Sequence, residues 1–371
     1  MRATRATIDL GQLRANLQAV RRSLTAGDGR RARICLAVKA AAYGHGAGPV
    51  ARAALQAGVS AFGVATVAEG VELRDAGITA PILLFSLPLP EEAAEIVRAR
   101  LTALCADPAL GRDLARAAAS AGRTVAVHLK LDTGMGRIGC PPDAAAELAQ
   151  ELRRHPWLRL TGVCTHFALA DQADQDYTRT QLAAFNRAVA AIPDHHRLLR
   201  HAANSGALVV LPAAHLDLVR PGIIAYGYYP GERQRRTVPV RPVMELATRV
   251  VYLKRVPAGT GLSYGLTYRT SAATLIATLP VGYADGYPRI LSGRSEVLIR
   301  GRRYPVVGRI CMDQCLVDLG PRADVARYDR AVLFGPDPAG PDAAELATAA
   351  TTIPYEITSR IAARVPRVYR F

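Results

Sequence analysis

The sequence predicts an α/β protein in which a closed (β/α)₈ barrel of the TIM type is followed by a mostly antiparallel β domain. Between residues 33 and 222, short apolar runs alternate with Ala-, Leu- and Arg-rich stretches of helical length, which is typical of a parallel barrel. Beyond about residue 236 the apolar runs are separated by Gly/Pro turns, which favours antiparallel strands. A length of 371 residues suits two such domains.

Eight short apolar runs are the candidates for the barrel strands. They are Arg33–Val38, Ala61–Ala65, Pro81–Phe85, Leu101–Cys105, Thr124–Leu131, Leu160–Thr165, Arg197–His201 and Leu216–Val219. The helical segments between them include Pro49–Ala57, Val67–Ala76, Pro108–Ser120, Asp143–Arg154 and Asp174–Ala191, and the helical stretch Leu10–Leu24 precedes the first strand.

The composition changes at the charged segment Gly231–Arg236, which we interpret as a linker. The strand-like runs beyond it are Met244–Val256, Thr274–Leu279, Ser295–Arg300, Tyr304–Cys311 and Ala331–Phe334, and one helix-like stretch lies near Asp342–Ala350. We therefore expect the barrel to span residues 10–235 and the β domain to span residues 236–371.

Charge and composition argue against several classes of function. The formal net charge of +16 comes from scattered arginines, without a basic tail or a recognisable binding motif, so no nucleic-acid partner is expected. The N-terminus has no apolar segment and no apolar run reaches about 18 residues, which predicts a cytoplasmic protein without a membrane partner. The six cysteines (35, 105, 140, 164, 311 and 315) form no metal-spaced cluster, so we expect reduced thiols and no metal.

Lys39 is the first candidate for a reactive side chain. It ends the buried run Ile34–Val38 and precedes a Gly-rich turn with Tyr43 and His45. Of the 47 Lys and Arg residues only three are lysines, and the other two are Lys130 and Lys254. A desolvated lysine can lose its proton and form a Schiff base, which arginine cannot do. A surface lysine at a strand end is the simpler interpretation of Lys39 alone.

Other polar residues follow the same ends of the predicted strands, where (β/α)₈ enzymes have their sites. Lys130 and Asp132 lie at the end of strand five, His166 ends strand six, Asn204 and Ser205 follow strand seven, and Arg220 and Gly222 end strand eight. The turns after strands seven and eight form the usual phosphate site of this fold. A reactive lysine beside a phosphate site predicts pyridoxal 5′-phosphate as the cofactor.

Nine motifs then identify a family by resemblance. VKAAAYGHGA, KLDTGMGRIG, THFALAD, HAANSGA, RPGIIAYG, LSYG, LPVGYADGYPR, GRICMDQ and IPYEI occur in this order and resemble the alanine racemase family over essentially the whole chain. The resemblance implies a pyridoxal phosphate-dependent isomerase that interconverts L- and D-alanine, a peptidoglycan precursor. It also implies a homodimer with shared active sites, in which residues 1 to about 9 join the C-terminal domain as a strand.

The resemblance also implies roles for individual residues. Lys39 would hold the cofactor and act as one base, and Tyr264 of the partner chain would act as the opposite base. Arg220 would face the pyridine nitrogen and, because it keeps its proton, leave that nitrogen unprotonated. Tyr43, Asn204, Ser205, Gly222, Ile223 and Tyr355 would form the phosphate end of the cofactor site, and His166 would lie near the ring and hydrogen-bond Arg220.

The remaining assignments concern the substrate and the entrance. Arg137 and the backbone of Met312 would bind the substrate carboxylate, and Lys130 resembles a lysine that the family often carries as a carbamate. Asp171, Tyr283, Arg289 and Arg309 resemble entrance residues. The chain has Ala41 where the family usually has Asn or Asp, so a hydrogen bond near Lys39 is expected to be missing.

Three alternatives stay open on the sequence alone. The chain could racemise another small amino acid such as serine, it could be a decarboxylase of the same architecture, or it could be a non-catalytic carrier of the cofactor. The presence of Tyr264 and of a C-terminal β domain argues against the last two.

Overall fold

A computed structural model describes residues 2–24, 26–27, 30–231 and 237–371. The predicted fold class is confirmed, with a parallel barrel followed by a mostly antiparallel sheet. Of the predicted charged linker, residues 232–236 lie outside the described residues. The eight barrel strands are Arg33–Ala37, Ala61–Val64, Ile82–Leu84, Ala103–Cys105, Val125–Lys130, Leu158–Cys164, Leu199–His201 and Leu218–Val219.

The barrel strands form two four-stranded parallel sheets that meet on both sides. On one side a parallel bridge joins Leu83 to Thr102, and the Leu84 N–H donates to the Thr102 carbonyl at 2.9 Å. On the other side the Asp217 N–H donates to the Arg200 carbonyl at 3.1 Å. These bonds close the sheet into a barrel, which places the carboxyl ends of all eight strands on one rim.

The helices of the barrel domain follow the strands closely in sequence. They are Leu10–Ser23, Ala47–Gln56, Val67–Asp75, Ala93–Arg98, Pro108–Ser120, Ala145–Arg154, Asp176–Ala190 and Ser205–Val210. Their starts are set by ordinary capping chemistry. Asp107 accepts a hydrogen bond from the Leu110 N–H before Pro108–Ser120, and Thr66 with Glu69 forms a capping box at Val67–Asp75.

The second unit is a nine-stranded sheet. Its strands are Arg5–Asp9, Met244–Arg249, Tyr252–Val256, Thr274–Leu279, Glu296–Ile299, Arg302–Val307, Cys315–Asp318, Arg330–Phe334 and Arg367–Arg370. The N-terminal strand Arg5–Asp9 lies between Met244–Arg249, to which it is antiparallel, and Arg367–Arg370, to which it is parallel. The helices Ala343–Ala349 and Pro354–Ser359 complete this part of the chain.

The predicted single run Met244–Val256 is wrong as one strand, because the chain changes partners in its middle. Met244–Arg249 pairs with Arg330–Phe334, whereas Tyr252–Val256 pairs with Thr274–Leu279. Hydrophobicity continues through the change, so the sequence pattern does not mark it.

One apolar core extends through both units. The same cluster of buried side chains contains Leu36 and Phe62 of the barrel and Met244 and Leu333 of the sheet. The two units are therefore packed against each other and not merely tethered. No helix among the described residues is both long and apolar enough to cross a membrane.

Candidate active site

A cavity of about 470 Å³ opens at the carboxyl ends of the barrel strands. Ten of the predicted site residues line it, namely Lys39, Tyr43, Lys130, Arg137, His166, Asn204, Ser205, Arg220, Gly222 and Tyr355. Four of these ten side chains are cationic, and none of the described residues that line the cavity is a carboxylate. The cavity is thus built to attract an anionic molecule.

The other predicted site residues do not line this cavity. Tyr264 is 71% exposed and Met312 is 53% exposed. Tyr283 and Arg289 line a separate cavity of about 530 Å³, and the Arg309 guanidinium lies against Gly265. Ile223, the residue after Gly222, is fully buried. Asp171 lies near Tyr355, and its charge contributes to the raised pKa of Tyr355.

Lys39 begins one turn of left-handed helix, which precedes the Gly-rich turn at Gly44 and Gly46 that the sequence predicts. Residues 40–43 all have φ between 51° and 56°, and the three alanines have ψ between 47° and 53°, which is the left-handed α region. Each non-glycine residue costs roughly 1–2 kcal/mol there, so four in succession cost about 4–8 kcal/mol. The surrounding structure must therefore impose the conformation.

The backbone and the C-terminal domain both hold this turn. The Ala42 N–H donates to the Val38 carbonyl at 2.7 Å. Gly44 lies so close to the helix Pro354–Ser359 that a Cβ atom there would come within 2.1 Å of the Thr358 carbonyl oxygen. A side chain at position 44 would push the two units apart, so this glycine is required for the close approach.

The amine of Lys39 is half-buried, and its surroundings change its acidity. Burial lowers the pKa of Lys39 below its usual value, and the nearby charge of Arg137 lowers it further, while Glu69 opposes both effects. A lowered pKa leaves more of the amine neutral near pH 7. The neutral amine is the form that acts as a nucleophile or base.

Arg220 is buried at the centre of the cavity floor and donates to four neutral acceptors. Its guanidinium donates to His201 Nδ1 at 2.7 Å, to the Thr165 and Ala202 carbonyl oxygens at 2.8 and 2.9 Å, and to His166 Nδ1 at 3.3 Å. In the described part of the chain, these partners include no carboxylate. Arg220 is therefore a fixed and uncompensated cationic donor.

The histidines around Arg220 are neutral. Burial first, and the charge of Arg220 second, lower the pKa of His166 and His201 well below the usual value and that of His128 to about 4. His201 accepts at Nδ1, so its Nε2 carries the proton that points to His128 Nδ1, 2.8 Å away. The hydrogen bonds that run from Arg220 through His201 to His128 fix the tautomer of His201 and thereby the direction of the Arg220 guanidinium.

The turns after the last two barrel strands form a small polar pocket. The Gly222 N–H donates to Ser205 Oγ at 2.8 Å, and a Cβ atom at Gly222 would come within 2.4 Å of the Tyr43 hydroxyl oxygen. Burial raises the pKa of Tyr43 and of Tyr355, so both hydroxyls stay protonated and can donate. Backbone and hydroxyl donors around a bare glycine suit a phosphate group.

Comparison with known proteins identifies the family. The model of the alanine racemase N-terminal domain matches residues 8–230, and that of the C-terminal domain matches residues 243–369. The chain belongs to the alanine racemase family. The alanine racemase of Treponema denticola is 44% identical over 100% of this chain and 98% of its own length.

Solved structures of alanine racemases are equally similar. That of Clostridium difficile 630 has a TM-score of 0.94 and 37% identity, and it covers 100% of this chain and 96% of its own. That of Streptomyces lavendulae has a TM-score of 0.93 and 40% identity, with coverage of 100% and 98%. The alanine racemase family depends on pyridoxal 5′-phosphate.

The cavity fits that cofactor on three observations. The bare backbone of Gly222 admits the Tyr43 hydroxyl to a space that a Cβ atom would need, protonated Tyr43 and Tyr355 can donate to a phosphate, and Lys39 can supply the amine that an aldehyde requires. Four cationic side chains, without a carboxylate among the described lining residues, also match a phosphorylated compound.

Lys130 lies beside this site and donates to backbone carbonyl groups. Its Nζ atom donates to Leu131 O at 2.6 Å and to Ile138 O at 3.2 Å. Burial is the main cause that lowers the pKa of Lys130, and Arg220 and Arg137 lower it further. A neutral amine is the form that reacts with carbon dioxide, so the lowered pKa is compatible with the carbamate that the family resemblance implies.

Sequence reasoning did not identify Phe85, which also lines the cavity. Its ring occupies the space beside Gly63, where a Cβ atom would come within 1.9 Å of it, and the Arg220 guanidinium lies 6.0 Å from the ring centroid. The signal was present in the sequence, since Phe85 ends the predicted strand Pro81–Phe85 at the same rim. An apolar side chain there gives the cofactor ring a surface to pack against.

Proposed function

We propose that this protein interconverts L- and D-alanine with pyridoxal 5′-phosphate, using Lys39 and Tyr264 as two bases on opposite faces of the substrate. The observation that carries the proposal is the position of Lys39. Lys39, whose amine has a lowered pKa, lines a cationic cavity that is also lined by the polar pocket residues Tyr43, Ser205 and Gly222.

When bound, the cofactor withdraws electrons and acidifies the Cα–H bond of the attached amino acid. Lys39 holds the cofactor and, as a neutral amine, takes or returns the proton on one face. Arg220 donates toward the pyridine nitrogen. Because a guanidinium keeps its proton, Arg220 leaves that nitrogen unprotonated and limits electron withdrawal, which disfavours side reactions such as transamination.

The phosphate end follows from the pocket described above. Tyr43 and Tyr355 donate hydroxyl protons, Ser205 supplies its hydroxyl, and Gly222 and Ile223 supply backbone N–H groups. Asn204 supports them, because its side chain accepts from the Ala207 N–H at 3.0 Å and fixes the start of the helix Ser205–Val210. His166 lies beside Arg220 and limits the space over the ring.

The second base comes from another copy of the chain in this proposal. Tyr264 and Met312 are largely exposed, although a proton-transfer group works best when shielded from water. Other large apolar side chains are exposed as well, among them Leu266, Ile290 and Ile353. An isologous homodimer would bury such a surface and give each of the two sites one Tyr264.

We place the barrel domain at residues 10–235 and the C-terminal domain, with residues 1–9, at residues 236–371. The pairing of Arg5–Asp9 with two strands of the C-terminal sheet supports this division. The reduced state of the six cysteines, none of which is in a disulfide, is consistent with a cytoplasmic location.

Arg137 and the Met312 backbone bind the substrate carboxylate in this proposal, and a carbamate on Lys130 would orient Arg137. Asp171, Tyr283, Arg289 and Arg309 form the entrance. The relatives are named alanine racemases, which favours alanine over serine and a racemase over a decarboxylase. The C-terminal domain argues against a carrier of the cofactor.

Circular dichroism tests the proposal directly. With the cofactor-loaded protein, the signal of L-alanine should decay to zero, D-alanine should decay in the same way, and L-serine should decay more slowly. Carbon dioxide release from a D-diamino acid should be absent. Loaded protein that leaves the signal of L-alanine constant would overturn the proposed function.

A further inference from the structure

Glu69 connects the capping box of the helix Val67–Asp75 to the left-handed turn that begins at Lys39. Its carboxylate accepts from the Ala40 N–H at 2.6 Å through Oε1, and from the Ala65 and Thr66 N–H groups at 2.7 and 3.3 Å through Oε2. Capping alone would engage only the N–H of Thr66. The bond to Ala40 reaches a residue that lies far away in sequence and directly beside Lys39.

We propose that Glu69 is a positioning residue for the cofactor lysine, which holds the left-handed turn in place and keeps a negative charge beside the Lys39 amine. The inference deepens the proposed function, because it rests on Lys39 as the residue that binds the cofactor. Glu69 does not line the cavity, so it acts through Lys39 and not on the substrate.

The composition of this turn explains why it needs such a bond. Glycine, and to a lesser extent Asn and Asp, adopt positive φ readily, but residues 40–42 are all alanine here. Ala40 and Ala41 are exposed, so packing does not hold their side chains. The charge-assisted hydrogen bond that the Ala40 N–H donates to Glu69 replaces the local preference that this sequence lacks.

The same carboxylate acts on the charge of Lys39. The charged groups that act on the amine are Arg137, which lowers its pKa, and Glu69, which raises it. The cavity is also lined by the titratable residues Lys130, Arg220, Tyr43, Tyr355, His166, His201 and Cys164. Among these, Tyr43 stays protonated and His166 stays neutral. Removal of the Glu69 charge therefore shifts the titration of Lys39 to lower pH.

Four variants separate positioning from capping. Glu69→Ala removes the bond and the charge, and Glu69→Gln removes the charge but keeps one acceptor oxygen. Thr66→Ala is the matched control, because it removes the other half of the capping box and leaves the Ala40 bond intact. Ala41→Gly, combined with Glu69→Ala, relieves strain in the turn without restoring the charge.

Two readouts are needed, neither of which is activity. The first is the dissociation constant of pyridoxal phosphate added to cofactor-free protein. The second is the pH dependence of Lys39 acetylation by trace acetic anhydride, read by peptide mass spectrometry. The chain has only three lysines. Lys254, in the strand Tyr252–Val256 of the nine-stranded sheet, serves as the internal reference.

Glu69→Ala should weaken cofactor binding about tenfold or more, as expected for the loss of a charge-assisted hydrogen bond, and should shift Lys39 acetylation to lower pH. Glu69→Gln should share the shift but lose less affinity. Addition of Ala41→Gly to the Glu69→Ala variant should restore the affinity for the cofactor, but it should not restore the titration of Lys39. Thr66→Ala should lower the melting temperature without changing the affinity for the cofactor or the titration of Lys39.

If Glu69→Ala matches Thr66→Ala in both readouts, or if Ala41→Gly restores no affinity, the inference is overturned. Failure of the proposed function looks different. In that case the unsubstituted chain carries no cofactor on Lys39, while the acetylation titration still decides whether Glu69 acts on the amine.

Discussion

Acidification should destabilise this protein well before its carboxylates titrate, because several histidines are buried in the neutral form. The pKa values of His45 and His128 are lowered to about 4, mainly by burial, from about 6.5 in an unfolded chain. Below pH 6.5 the unfolded state therefore binds protons that the folded state does not bind. The contribution of these histidines to the free energy of unfolding is fully present above pH 6.5, and it is lost as the pH falls toward 4.

The size of the effect follows from these values. One pH unit below 6.5, each such histidine costs about 1.4 kcal/mol of the free energy of unfolding, so His45 and His128 together cost about 3 kcal/mol at pH 5.5. His166 and His201 shift in the same direction and add to the loss. The pKa of Asp132 is lowered from 3.8, so this carboxylate stays ionised in the same window.

Urea-induced unfolding, followed by circular dichroism at pH 7.5 and pH 5.5 with equal protein and salt concentrations, measures this difference. His128→Asn should reduce the difference by about 1.4 kcal/mol, whereas His196→Asn, at an exposed position, should leave it unchanged. Equal stability at the two pH values, or greater stability at pH 5.5, would refute the reasoning.

Three further predictions concern the site. Lys39→Ala should abolish covalent cofactor attachment and most activity, whereas Lys254→Ala should keep both; after borohydride reduction, a label on Lys130 or Lys254 would contradict the assignment. Arg220→Glu should slow racemisation, increase transamination and add a long-wavelength absorbance band with substrate, and an unchanged spectrum would mean that Arg220 does not face the ring nitrogen. Inactive Lys39→Ala and Tyr264→Phe chains, when co-expressed, should regain roughly a quarter of the activity, since about half of the dimers are mixed and each has one intact site. No recovery despite proven mixing would show that Tyr264 does not act across the dimer.

The barrel could be predicted because its strands and helices obey simple periodicities. The predicted Arg33–Val38 differs by one residue from the observed Arg33–Ala37, and Pro108–Ser120 agrees at both ends. In the C-terminal sheet the pairing is mostly non-local, so the pattern gave the strands near Thr274–Leu279 but missed Cys315–Asp318. Periodicity marks an element, but it does not identify its partner.

The place of the cavity was predictable, because polar residues such as Lys39 and Arg220 lie at the strand ends on one rim, and both line the cavity. The left-handed turn after Lys39 was not, because alanine has no preference for positive φ and only distant contacts impose it. Glu69 and His201 were missed for a related reason, since each acts through a neighbour. The assignment of Tyr264 depended on family resemblance, because nothing in its local sequence distinguishes it from a strand-end tyrosine.

The position of the strand Arg5–Asp9 dictates an order of events during synthesis. This strand is made before the whole barrel, yet its neighbours Met244–Arg249 and Arg367–Arg370 are made after the barrel. At about 5–20 residues per second, it waits unpaired on the order of ten seconds to a minute while the complete barrel emerges. The ribosome must therefore release the whole barrel and the strand Arg367–Arg370 before the nine-stranded sheet is complete, and a fusion that sequesters Arg5–Asp9 would delay this sheet while leaving the barrel to fold.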